Sequence, residues 1–122
     1  MTKIKITAGK ITLDAELNDS KTANLIAAAL PIEAKGNTWG EEIYFGIPVK
    51  TGAENPLDVV EMGDLGYWPP GHAFCIFFGP TPASQGDEIR PASPVNLIGK
   101  ILGDAKNLKQ VRNGETVRIE QA

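Results

Sequence analysis

The feature that most narrows the folds open to this chain is a two-residue alternation of apolar and polar side chains, repeated in short segments. Ile4 and Ile6 alternate with Lys3 and Lys5; after a turn at Ala8-Gly9, Ile11, Leu13, Ala15 and Leu17 alternate with Thr12, Asp14 and Glu16. Near the other end, Val117 and Ile119 alternate with Thr116, Arg118 and Glu120. Such patterning gives a strand one buried and one wet face. The short Gly-containing connection between the first two strands predicts a hairpin. Asn113-Gly114 is a second hairpin signal, because both turn positions tolerate φ > 0.

Between these ends the chain carries one helical segment and several more short strands. Asn18-Asp19-Ser20 offers helix N-caps, an Ala-rich stretch follows, and Pro31 disfavours helical geometry at the residue before it. A helix over Ser20 to Leu30 is expected, with Leu25, Ile26 and Leu30 packed on the sheet, since a segment this short does not persist alone. Ile43 to Ile47 is a β-prone run ending at Pro48. Leu57 to Met62, Leu65 to Trp68, Phe74 to Phe78 and Val95 to Leu102 read as further strands, and Asp104 to Gln110 as a helical turn. Residues 79–94 carry Pro80, Pro82, Pro91 and Pro94 and form neither strand nor helix; a segment of that kind is a lid or a packed surface loop. About eight short strands with one early helix predict a mainly β, closed barrel whose first and last strands pair, in one domain over residues 1–122.

Composition limits function more than it defines it. The 122 residues carry a net charge of −3, with acids and bases interspersed, so no basic stripe exists to neutralise nucleic-acid phosphates. One cysteine, Cys75, and one histidine, His72, make neither an internal disulfide nor a soft-metal cluster. No metal or cofactor is expected. No stretch approaches the roughly 20 apolar residues of a membrane span, and the alternating N-terminal segment does not resemble a signal peptide. The expectation is a cytoplasmic protein; its oligomeric state stays open.

Few residues are suited to chemistry. Glu41 and Glu42 are adjacent carboxylates, but successive strand residues point to opposite faces, so they do not converge on one substrate. The simpler reading has one solvated and the other on the barrel rim. His72 follows Tyr67-Trp68-Pro69-Pro70-Gly71, a stretch stiffened by its prolines, and could shuttle a proton. More often an unpartnered loop histidine is simply exposed, and no residue is spaced to form an evident triad with it. Cys75 sits on an apolar strand that disfavours the thiolate and reads as core. The aromatic residues cluster from Trp39 to Phe78. By alternation Phe74, Ile76 and Phe78 share one face while Cys75 and Phe77 share the other, so only one set can line a pocket.

Taken together, Asn37-Thr38-Trp39-Gly40-Glu41-Glu42-Ile43-Tyr44-Phe45, Gly63-Asp64-Leu65-Gly66-Tyr67-Trp68-Pro69-Pro70-Gly71, Phe74-Cys75-Ile76-Phe77-Phe78-Gly79-Pro80-Thr81-Pro82 and Pro91-Ala92-Ser93-Pro94-Val95-Asn96-Leu97-Ile98-Gly99-Lys100-Ile101 carry a family resemblance. Over essentially its whole length the chain resembles a small bacterial and archaeal cyclophilin-like family. The resemblance implies a cyclophilin-type closed β-barrel, smaller than the prolyl isomerases. It also implies a departure from them. Where isomerases carry a Phe-His-Arg-(Ile/Val)-Ile-Pro run, whose arginine stabilises the twisted amide, this chain reads Ile43-Tyr44-Phe45-Gly46-Ile47-Pro48, and the expected glutamine is matched by Ile76. Twisting a prolyl amide must overcome roughly 20 kcal/mol, and placed donors are a main source of acceleration. Arg90 or Arg112 would have to act from elsewhere.

The resulting expectation is a barrel that binds a small molecule or a proline-containing peptide without strong catalysis. Its groove would be lined by Trp39, Tyr44, Tyr67, Phe74 and Phe78 and rimmed by Glu42 and His72. The alternatives are a prolyl isomerase with replaced residues, a small-metabolite hydrolase or isomerase using Glu42 and His72, and a subunit that associates through the groove.

Overall fold

A computed structural model describes all residues, Met1–Ala122. The alternating segments form the strands that their periodicity requires. Strands β1 (Thr2–Ala8) and β2 (Ile11–Leu17) make the first hairpin, with Thr2 opposite Leu17 and Ala8 opposite Ile11. Helix α1 (Lys21–Ala29) begins at Ser20, whose hydroxyl oxygen accepts a hydrogen bond from the Ala23 N–H at 3.1 Å. Then come β3 (Ile32–Lys35), β4 (Asn37–Thr38), β5 (Glu42–Gly46), β6 (Asp64–Trp68), β7 (Ala73–Phe77), β8 (Asn96–Ile101) and β9 (Thr116–Gln121). Two 3-10 turns, Pro69–Gly71 and Ala105–Gln110, interrupt the strands, the second where a helical turn is expected.

The nine strands form one sheet in the order β3-β9-β1-β2-β8-β6-β7-β5-β4. The first and last strands pair, Ile6 opposite Ile119. The segment carrying β3 and β4 bends at Gly36, so that β3 pairs β9 at one margin of the sheet and β4 pairs β5 at the other. Counting that bent segment once gives eight strands in a nearly closed barrel, the expected number, although the bent segment takes the place of the strand expected over residues 57–62. Gly36 suits the bend because a side chain there would press on Ile43 and Val117, each 3.0 Å from its Cβ position. The Gly36 N–H and C=O are both bonded across the seam, to Glu115 O at 2.9 Å and from the Gly114 N–H at 2.8 Å.

The barrel interior is filled by the inward set of each strand, among them Ile4, Ile6, Leu17, Ile43, Phe45, Leu65, Ile76, Ile98, Val117 and Ile119. Each such aliphatic side chain contributes about 1.5–3 kcal/mol on burial. Ala23 and Ile26 of α1 close one end of this core, whereas Leu25, expected to pack, is 40% exposed. A second, smaller core lies outside the barrel wall, where Val60, Ile89 and Val95 cover Phe77, Ala73 and Cys75.

Two expected elements differ. Residues 57–62 form no strand: their backbone pairs with neighbouring chain only in single bridges, Leu57 to Val95 and Val60 to Ile89. Their partner segment is rich in proline and cannot offer a continuous ladder. Asn113-Gly114 does make a tight turn, with Gly114 at φ 92°. It leads from a 3-10 turn into β9 rather than joining two strands, so it closes no hairpin. No helix is long and apolar enough to cross a membrane.

Candidate functional site

The β5–β7–β6 region of the barrel wall determines where a site can form. In its antiparallel register Glu42 lies opposite Phe77, Tyr44 opposite Cys75 and Gly46 opposite Ala73, while Gly66 lies opposite Cys75 and Trp68 opposite Ala73. Residues directly opposite share a face. One face therefore carries Ile43, Phe45, Leu65, Tyr67, Phe74 and Ile76 and looks into the barrel. The other carries Glu42, Tyr44, Trp68, the small residues Gly46, Gly66, Ala73 and Cys75, and Phe77, which the outer core of Val60, Ile89 and Val95 covers. Large side chains at the margins and small ones between them leave a hollow on the outside of the barrel.

That hollow has a volume of about 240 Å³ and is lined by Trp39, Glu42, Tyr44, Trp68, Cys75, Pro91, Ala92 and Val95. Trp39 stands on the turn between β4 and β5, which closes through the Trp39 N–H to Glu42 O bond at 2.9 Å. Gly40, at φ 60°, lets that turn press against the Pro80–Pro82 backbone. Trp68 is held by its indole N–H, which donates to Ser93 Oγ at 2.6 Å and so ties the wall to residues 91–95. The 79–94 segment is a packed loop: the Thr81 hydroxyl donates to Arg90 O, and Ser84 Oγ accepts from the N–H groups of Thr81 and Arg90.

Glu42 is the polar group of this site. It is 5% exposed, and no backbone N–H, hydroxyl or cation of the chain bonds its carboxylate. Burial pushes its pKa up to about 7, partly offset by the neighbouring Cys75 thiol. Cys75 is also buried; desolvation, and then the Glu42 carboxylate, raise its pKa well above the ordinary thiol value. It stays a thiol at neutral pH, and its Sγ–H points to Ala73 O at 3.9 Å. Glu41 faces elsewhere and pairs with Lys109 at 3.2 Å. The two acids therefore diverge as alternation requires, but Glu42 is sunk in the wall and not on a wet rim.

The structure brings together only part of the expected groove. Trp39, Tyr44 and Glu42 line the hollow. Tyr67, Phe74 and Phe78 do not: they are 0%, 0% and 3% exposed and belong to the barrel core. Phe74 stacks on Phe45 with ring centroids 5.5 Å apart. The Tyr67 hydroxyl donates to Val49 O at 2.6 Å and accepts from the Thr51 N–H, pinning the loop after β5. The alternation names two faces of β7, and the one carrying Phe74, Ile76 and Phe78 is the interior.

His72 is also elsewhere. It caps the Pro69–Gly71 turn at φ 48°, and its carbonyl accepts the Ile47 N–H at 2.9 Å. It adjoins the Gly46–Ala73 end of the ladder and Glu42 occupies the other, four residues or roughly 13 Å along the strand. His72 does not line the hollow that holds Glu42, so the two are not brought together as an acid–base pair there. Trp68, Cys75, Pro91, Ala92 and Val95 were outside the expected groove. The signal for the first two was the run of small residues on the face that carries Glu42.

No arginine enters the hollow. Phe45, where the isomerase run has its arginine, is 1% exposed inside the barrel, and Ile76 is likewise interior. Arg90 is paired with Glu88 at 2.7 Å, and Arg112 borders a separate depression beside Lys109. A nearly closed barrel with this strand order is of cyclophilin type, and no arginine lines its outer-wall hollow. The chain belongs to the cyclophilin-like family, whose model matches residues 2–120. It is similar to the hypothetical protein AF2241 from Archaeoglobus fulgidus, known from a solution structure. The two are 45% identical with a TM-score of 0.85, over 99% of this chain and 95% of that one. No curated protein matches the chain.

Proposed function

We propose that the chain is a ligand-binding member of its family, taking a small molecule or the ring of a proline-containing peptide into the outer-wall hollow without strong catalysis. The observation that carries this reading is the hollow itself: six of its eight lining residues are apolar or aromatic, and one buried carboxyl is set among them. Apolar walls with a few placed polar groups are the usual make-up of a small-molecule site. The hollow is small, so the ligand, or the part of it that enters, is no larger than one or two rings.

Weak catalysis follows from the lining. A twisted prolyl amide needs donors aimed at its carbonyl and nitrogen, and the hollow supplies no guanidinium or carboxamide. A protease-coupled assay on peptides with several residues before proline is expected to give the uncatalysed rate. Titration with proline peptides and small-molecule fragments, followed by amide chemical shifts, tests the binding reading. Perturbations should concentrate at residues 39–44, 66–68, 73–75 and 91–95. Shifts scattered evenly over the surface would remove the proposal.

A further inference from the structure

The hollow is chemically one-sided. Its walls present the rings of Trp39, Tyr44 and Trp68, and its polar group is the Glu42 carboxyl. Aromatic faces carry negative potential and attract cations, more strongly where water is excluded. Across the elements packed around Glu42, the titratable groups are Tyr44 from β5 and Cys75 from β7. The β4–β5 turn contributes Trp39, β6 contributes Trp68, and the 91–95 segment contributes Pro91, Ala92 and Val95. No lysine, arginine or histidine lines the hollow, and Glu42 belongs to none of the ion pairs of the chain. A carboxyl this buried normally has an internal cation or several donors. Inside the protein Glu42 has only the neighbouring Cys75 thiol, so no internal cation offsets its charge and the hollow leaves that role to a ligand.

We propose that the hollow receives a small organic cation of the alkylammonium class, its charge met by Glu42 and its alkyl groups packed against Trp39, Tyr44 and Trp68. This deepens the ligand-binding reading above and rests on it. The volume is sufficient: a cavity of about 150 Å³ already holds benzene, and this one is about 240 Å³. A quaternary or alkylated ammonium suits such walls better than a bare one, because its weakly hydrated alkyl shell leaves water readily and matches apolar surface.

The cation also resolves the state of the acid. Unliganded, Glu42 titrates at about 7 because burial disfavours its charge. A bound cation restores the preference for the carboxylate, so binding expels a proton below neutrality. The ionised fraction rises from about one-tenth at pH 6 to about nine-tenths at pH 8, so cation affinity should rise about tenfold over that interval. A neutral ligand accepting a hydrogen bond from protonated Glu42 would show the opposite trend.

The test uses the full chain and a matched pair of probes: choline, and 3,3-dimethyl-1-butanol, which replaces the charged nitrogen by carbon at nearly the same size. Amide and indole shifts of Trp39 and Trp68 are followed at pH 6, 7 and 8, with tetramethylammonium as a second cation. The expected result is choline binding at least tenfold tighter than the alcohol at pH 8, and a gain of about tenfold for choline alone from pH 6 to 8. In Glu42→Gln, with its fold verified by the same spectra, the pH dependence should vanish and the preference for choline should fall to the smaller share that the aromatic walls supply. Equal binding of the two probes, or choline binding that weakens with rising pH, overturns the cation. If no cation perturbs the hollow while proline peptides or neutral fragments do, the cation inference fails and the ligand-binding reading stands. If none of these probes perturbs it, both fall.

Discussion

Replacing Glu42 by glutamine tests the physics of the site without any ligand. The carboxyl is 5% exposed and titrates at about 7 against an ordinary value of 4.5, chiefly because burial penalises its charge. A raised carboxyl pKa means that the folded protein holds a proton that the unfolded chain has released. Below about pH 4.5 Glu42 is protonated in both states and contributes no difference. Between 4.5 and 7 the folded state binds more protons, so stability falls as pH rises; above 7 the loss is complete. At 1.36 kcal/mol per pH unit, that interval corresponds to about 3 kcal/mol. Glutamine has nearly the same shape and no such dependence. Urea unfolding of wild type and Glu42→Gln, compared from about pH 5 to about pH 8.5, should show the difference in stability changing by about 3 kcal/mol in favour of the variant, then levelling. For a domain of this size that is a relative melting shift of about 10 °C. Any constant cost of burying the amide shifts the whole curve and leaves its shape alone. A difference that does not vary with pH would refute the claim that Glu42 is desolvated without a cation to offset its charge.

Cys75 should be inert in the folded protein, since burial and the adjacent carboxyl both suppress its thiolate. Reaction with an aromatic disulfide reagent near pH 8 is expected to be at least about a hundredfold slower than in the unfolded chain; comparable rates would place the thiol at the surface. Asn96→Ala should cost about 2–4 kcal/mol in urea unfolding, because a buried side chain loses three hydrogen bonds at once, one of them to the buried Thr22. The Asn96 side chain accepts from the Glu54 N–H and donates to Thr22 Oγ1 and Gly52 O, holding the 52–54 loop over the start of α1. Gly99→Ala should cost at least about 3 kcal/mol or prevent folding, since overpacking against backbone has no relief by side-chain movement. A Cβ at Gly99 would overlap the Glu16 carbonyl across the β2–β8 pair. Soluble, cooperative Gly99→Ala protein of near wild-type stability would contradict that register.

The barrel was legible in the sequence because strand periodicity is a local property. Lys3 through Leu17 and Thr116 through Glu120 announce their own buried and wet faces, and Ser20 with Pro31 brackets the helix. The β3 and β4 strands were missed: Ile32–Lys35 and Asn37–Thr38 are short and weakly patterned, and they are strands only because β9 and β5 lie beside them. Residues 57–62 looked like a strand by composition, yet a ladder needs a partner whose N–H groups are free, and the proline-rich segment beside them has too few.

What the chain determines by itself is the set of alternating faces, the absence of an arginine in the Ile43–Pro48 run and the absence of any metal-ligand cluster among its single cysteine and single histidine. Which face of β7 meets the core was decided only by the tertiary structure. Apolar content alone does not separate Phe74, Ile76 and Phe78 from Cys75 and Phe77, because both faces of that strand are buried. The barrel interior takes Phe74, Ile76 and Phe78, and the outer face keeps Cys75 beside the hollow and Phe77 under the smaller core. Closure then places Trp39, Tyr44 and Trp68 around Glu42, residues from three separate elements whose proximity no local pattern encodes. The same closure separates Glu42 from His72 by the length of a strand.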